Sequence, residues 1–267
     1  MRRLLLVLLA GLGGLPAVAA SPVLVVTGGG ATRQFTADDL LGLHDAATLA
    51  VPRDPAYGRA MGYRAVPLSA LLSALPPDEA DTIQARAIDG FVAEIPRTLI
   101  GGAAVPWLAI EDPAHLWPHL PGKTVSAGPF YLVWANPERS DIGSEQWPYQ
   151  LASLTAVESP AHRWPQMVVD AGLPEDASAR RGQAVFTTQC LPCHRMKGAG
   201  AAEVGPDLGQ PMNPIQYLSA IGLRNMIRNP KAVRTWPQMT MPGFDETMLR
   251  EANLDALIAY LAHMAMH

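Results

Sequence analysis

A chain of 267 residues is long enough for two compact units, each with its own core. With 49% hydrophobic, 16% charged and 6% aromatic residues it has the composition neither of a disordered segment nor of a fibre. Charge is shared unevenly: residues 20–172 hold 9 Lys and Arg against 16 Asp and Glu, a balance of −7, whereas residues 173–267 hold 9 against 8, a balance of +1. The acidic first half argues against nucleic acid as a partner.

At the start of the chain, Arg2 and Arg3 precede an apolar run from Leu4 to Leu15, and Ala17-Val18-Ala19 supplies small residues where a signal peptidase reads. This predicts a signal peptide over residues 1–19 and a periplasmic mature protein. The run is shorter than the roughly 20 apolar residues that span a bilayer, and no later run is long and charge-free enough to span. No stable membrane insertion is expected once the signal is removed.

From residue 20 to residue 165 short β-type runs alternate with short helical patterns, which predicts an α+β domain. Val23-Leu24-Val25-Val26 and Phe130-Tyr131-Leu132-Val133-Trp134 read as strands. Thr36 followed by Asp39 reads as a helix start for Leu40, Leu41 and Leu43, and Ser69 to Leu75 as a second short helix. Thirteen prolines between positions 52 and 148 are expected to keep every element short. His115 and His119 have i, i+4 spacing, but Pro118 and Pro121 oppose a regular helix there, so they read as surface or structural residues. Trp107, Trp117, Trp134, Trp147 and Trp164 read as core, with some available to line a cleft or a domain interface.

Trp164-Pro165 and Leu173-Pro174 punctuate a seam, and the linker is predicted over residues 166–177. Residues 178–267 are then helical in period. A helix runs from Ala179 through Val185 and Phe186 into Cys190-Leu191-Pro192-Cys193-His194. At the other end Leu254, Leu257, Ile258 and Leu261 place one apolar face on a last helix. Two thiols separated by two residues can each add to one vinyl group of a porphyrin, and the imidazole that follows is then held beneath the iron. A disulfide, a redox dithiol and a zinc site use similar spacings. The dithiol lacks the strand its fold requires, and zinc lacks further ligands at suitable spacing. One covalent haem c, bound through Cys190, Cys193 and His194, is the expectation.

A sixth iron ligand would come from among the many methionines of this half. Met241 stands in the turn Gln238-Met239-Thr240-Met241-Pro242-Gly243-Phe244, where a side chain can reach inward without breaking a helix, and Pro242 and Gly243 favour it over Met239.

These motifs make residues 178–267 similar to a class I cytochrome c domain, an all-α fold. Gly182 and Phe186 with Leu257 and Tyr260 resemble the family's crossing of first and last helices. Gly205-Pro206-Asp207-Leu208 resembles the loop whose proline carbonyl accepts the proton of the haem-ligating histidine. The resemblance implies that Pro206 orients His194, that Met241 ligates the iron, and that Arg234 and Trp236 lie where propionate partners are found.

Residues 20–165 resemble the molybdopterin-binding domain of sulfite-oxidase-type enzymes. Phe35-Thr36-Ala37-Asp38-Asp39-Leu40-Leu41, the step Tyr63-Arg64-Ala65-Val66-Pro67-Leu68, Asp89-Gly90-Phe91 and Ile95-Pro96 carry that resemblance. It implies a scaffold. Those enzymes ligate molybdenum with a cysteine thiolate, and both cysteines of this chain are committed to haem. Three functions follow: an electron carrier serving a redox protein partner, with the first domain as docking or binding module; a haem-linked dehydrogenase; and an assembly or sensor module bearing a haem.

Overall fold

The computed structural model describes residues 21–140 and 142–266. The expected signal peptide lies outside the described residues.

The first domain is built on nine strands: β1 (Val23–Gly28), β2 (Ala31–Thr36), β3 (Ala47–Asp54), β4 (Arg59–Pro67), β5 (Thr82–Ala87), β6 (Val92–Pro96), β7 (Val105–Ile110), β8 (Phe130–Ala135) and β9 (Leu151–Val157). Four short helices lie among or after them: α1 (Ala37–Leu41), α2 (Leu68–Leu72), α3 (Arg97–Ile100) and α4 (Pro160–Arg163). The strands form a five-stranded sheet in the order β2-β1-β9-β5-β6 and a four-stranded sheet in the order β3-β4-β7-β8. All pairs are antiparallel except β1 with β9.

Local chemistry explains the boundaries. Leu24 and Val26 alternate inward along β1 and are fully buried, as a half-buried strand requires. Thr36 caps α1 in a reciprocal box with Asp39: Thr36 accepts from the Asp39 N–H at 3.2 Å, and Asp39 accepts from the Thr36 N–H at 2.8 Å. The prolines shorten the elements less than expected, for β4 runs nine residues. Pro52 lies at an irregularity of the edge strand β3, and Pro106 precedes the part of β7 that pairs with β4, so neither breaks a ladder that needs its missing donor.

Asp54 is a fully buried carboxylate of this domain. Asp54 accepts from the Ala56 and Tyr57 N–H groups at 2.9 and 3.0 Å, and from the Tyr63 and Tyr131 hydroxyls at 2.7 and 3.2 Å. Burial, and then the neighbouring Asp54, push the Tyr63 hydroxyl well above the usual tyrosine range. Trp134 and Trp147 are buried in the same core. His115 is exposed and meets Asp112 at 3.0 Å.

The second core belongs to five helices: α5 (Ser178–Gln189), α6 (Pro214–Tyr217), α7 (Ala220–Arg228), α8 (Pro230–Val233) and α9 (Glu251–Met266). Helix α5 crosses α9 at Gly182, where a methyl group would come within 2.6 Å of the Ala256 carbonyl carbon and 2.7 Å of Tyr260 Cβ. Phe186 and Tyr260 stack nearby, with ring centroids 5.1 Å apart. Gly182→Val is therefore expected to cost about 3 kcal/mol by overpacking two helix backbones, read as a lower midpoint of thermal unfolding in the haem-loaded protein.

The segment 166–177 packs into this second core. Met167 and Val169 are buried in it, the Tyr260 hydroxyl donates to the Met167 carbonyl at 2.8 Å, and the Val169 N–H donates to Gln183 at 2.9 Å. The Arg180 guanidinium gathers the carbonyls of Asp170, Ala171, Leu173 and Pro174. The predicted linker is thus packed against the second core.

Candidate functional site

Helix α5 delivers the first cysteine. Cys190 caps its C-terminus, its N–H donating to the Phe186 carbonyl at 2.9 Å, and the chain then turns tightly: the Cys193 and His194 N–H groups both donate to the Cys190 carbonyl, at 3.1 and 2.8 Å. The turn puts the two thiols and the imidazole at one end of the helix.

The following loop folds back against the imidazole. The Gly205 N–H donates to the Cys193 carbonyl at 2.7 Å, and a Cβ at position 205 would come within 2.6 Å of His194 Nδ1, so only glycine lets the backbone pass this close. Pro206 then presents its carbonyl 2.9 Å from His194 Nδ1. A carbonyl can only accept, which assigns the proton to Nδ1 and leaves the Nε2 lone pair free to ligate. Burial lowers the His194 pKa, against the opposing effects of the Pro206 bond and Asp207, and so favours the neutral, ligating form.

Asp207 fixes the loop from behind. Its carboxylate accepts from the N–H groups of Lys197 at 2.9 Å, Gly198 at 2.6 Å, Gly209 at 2.7 Å and Gln210 at 3.1 Å. The loop motif alone does not show this task of Asp207; an aspartate followed two residues later by glycine is its signal in the sequence.

The thiols are not joined to each other. Burial, with the added effect of Glu145, pushes Cys193 up to about 12 and Cys190 higher still. Both stay protonated at neutral pH. A redox dithiol needs the opposite, a thiol made acidic by nearby positive charge or a helix N-terminus. Among the described residues no three His, Cys, Asp or Glu side chains are arranged to hold a metal ion by themselves.

The remaining candidate residues lie on the turn between α8 and α9. Phe244 is buried, its N–H donates to the Ile227 carbonyl at 3.0 Å, and its own carbonyl accepts from Arg228 at 2.9 Å. Met239 and Met241 are both half-buried. Arg234 and Trp236 are exposed, and the Arg234 side chain makes no hydrogen bond or ion pair to the described residues. The structure thus brings Cys190, Cys193, His194 and Pro206 into one turn-and-loop unit. Arg234 and Trp236 stand on a separate, exposed stretch.

Residues of the first domain also reach this unit. The Val92 N–H donates to the Pro192 carbonyl at 2.9 Å, the Glu203 N–H to the Gly90 carbonyl at 3.2 Å, and Arg86 Nη2 to the Ala201 carbonyl at 3.1 Å. No motif could have signalled these contacts, since each joins segments about a hundred residues apart.

Residues 179–265 match the family described as cytochrome c. No curated protein matches the chain. Among solved structures it is similar to the sulfane dehydrogenase SoxCD from Paracoccus pantotrophus, at 18% identity and a TM-score of 0.37, with 52% of this chain and 38% of that chain covered. The chain therefore spans well under half the length of that relative. The C-terminal region is a cytochrome c domain, and its cofactor is covalently bound haem c. The unit fits such a group: two half-buried, unpaired thiols two residues apart can form the thioethers, beside an imidazole whose Nε2 has no hydrogen-bond partner among the described residues.

Proposed function

We propose that the protein is an exported, periplasmic electron carrier that passes single electrons to or from a redox protein partner. The observation that carries this reading is the orientation of His194, whose Nδ1 meets the Pro206 carbonyl, beside two unpaired cysteines, within the stretch that matches the cytochrome c family. When bound, haem c supplies a one-electron store. Cys190 and Cys193 hold it by thioether bonds, and His194 ligates the iron through Nε2. Pro206 keeps the imidazole oriented and more basic by accepting from Nδ1. Met241 would supply a second protein ligand to the iron, and Arg234 and Trp236 would meet the propionates. No helix among the described residues is long and apolar enough to cross a membrane.

The acidic first domain, on a scaffold of the sulfite-oxidase type, serves as the docking or binding module in this reading. It has no cysteine of its own to ligate molybdenum, because Cys190 and Cys193 are the two cysteines of the whole chain. Metal analysis of the purified mature protein is expected to find one iron per chain and no molybdenum. Added sulfite is expected to leave the ferric haem unreduced. Molybdenum at a stoichiometry close to that of iron, together with reduction of the haem by sulfite, would instead make the chain a haem-linked dehydrogenase.

A further inference from the structure

The first domain closes over the haem-attachment turn, and the closure brings one carboxyl group with it. Strand β5, edge strand β6 and the turn between them bond the motif and its loop through Arg86, Val92 and Gly90. Beside β6, the one-turn segment Ser144–Gln146 packs on α5 just ahead of Cys190; a Cβ at Gly143 would come within 2.7 Å of the Gln189 amide nitrogen. Glu145 lies at the centre of that segment, where its negative charge acts on both Cys190 and Cys193.

The carboxyl has little to hold it in the ionised form. Among the described residues it accepts one hydrogen bond, from Ser144 Oγ at 3.3 Å, and makes no ion pair. The titratable groups near it in the turn that follows α5 are Cys190 and Cys193, both uncharged once they are thioethers. On β6, Glu94 is already bound to Arg163 at 2.6 Å and to Gln84 at 3.0 Å. Asp89, in the turn between β5 and β6, acts on Cys193. Among the described residues no cation is paired with Glu145.

We propose that Glu145 is a positioning residue by which the first domain sets the redox equilibrium of the haem, its proton moving with the electron. Glu145 becomes more protonated, drawing a fraction of a proton from solvent, as the haem takes up one electron delivered by a reduced one-electron donor protein. It returns that fraction on reoxidation. An ionised carboxylate favours the more positive, ferric iron, so ionisation of Glu145 opposes reduction. Burial raises the Glu145 pKa to about 7, which places the exchange in the physiological range.

The inference rests on the electron-carrier reading and deepens it. Its test is a mediated redox titration of the haem-loaded full chain between pH 5 and 9, for the native protein and for Glu145→Gln and Glu145→Asp. In the native protein the equilibrium constant for reduction is expected to fall on the order of tenfold across neutral pH, the effect of a one-unit coupling between proton and electron. In Glu145→Gln it should stay near the native low-pH value throughout, and Glu145→Asp should restore a fall. Superimposable profiles for the native protein and Glu145→Gln would overturn the inference while leaving the carrier reading intact. A haem that mediators cannot cycle at any pH would overturn the carrier reading itself.

Discussion

Met241→Ala is expected to abolish the weak sulfur-to-iron absorption band near the red end of the ferric spectrum, while Met239→Ala keeps it. The two side chains are equally half-buried in one exposed turn, so burial does not separate them. What separates them is the backbone that follows. Pro242 fixes the chain direction after Met241, and the turn is then pinned at Phe244 by bonds to Ile227 and Arg228. Met241 stands three residues from that anchor, and Met239 two residues further into the exposed stretch. Losing the thioether ligand should also lower the reduction potential, since methionine opposite histidine raises it. Loss of the band in Met239→Ala alone would move the ligand two residues.

Asp54→Ala is expected to be the most destabilising single change in the first domain. It leaves two backbone N–H groups and the hydroxyls of Tyr63 and Tyr131 without their acceptor in a core that water does not reach. Orphaned buried donors cost about 1–3 kcal/mol each before relaxation. A net loss of about 4 kcal/mol is expected once the tyrosines reorient, or a fall of roughly 10 °C in Tm for a unit of this size. Asp54→Asn keeps one acceptor oxygen and should cost about half as much. Far-UV circular dichroism during thermal unfolding reads the effect, and a loss below about 1 kcal/mol for Asp54→Ala would show that the network is dispensable.

The helical half was the more legible in the sequence because its signals are local. The i, i+4 face of Leu254, Leu257, Ile258 and Leu261 and the glycine-aromatic pattern of Gly182 and Phe186 act over one or two turns, and α5 and α9 meet through them. The cysteine-histidine spacing is itself a chemical constraint and needs no tertiary context. In the first half, β1, β8 and the Thr36 cap announce themselves by alternation, aromatic content and a reciprocal hydrogen bond.

Strands β3, β4, β5, β6, β7 and β9 do not, because tertiary pairing decides them. β5 is polar at Thr82, Gln84 and Arg86 and becomes a strand by lying between β6 and β9. Thr82 and Gln84 gain their surroundings only there. The packing of segment 166–177 is illegible in the sequence for a related reason. Prolines 165 and 174 mark turns, but between them Met167 and Val169 find a core that exists only after α5 and α9 have crossed. Glu145 and Asp89 give no sequence hint of their place near the cysteines, since the fold alone brings them there.

The central claim is that the chain stores and releases one electron at a covalently held haem. A reversible mediated redox titration of the purified full chain tests it most directly, followed by haem absorbance and repeated in both directions. The account predicts one electron per chain, superimposable reductive and oxidative curves, and haem that stays attached after denaturation in acid-acetone. A haem that is stripped by that treatment, or that mediators fail to reduce and reoxidise, would contradict it.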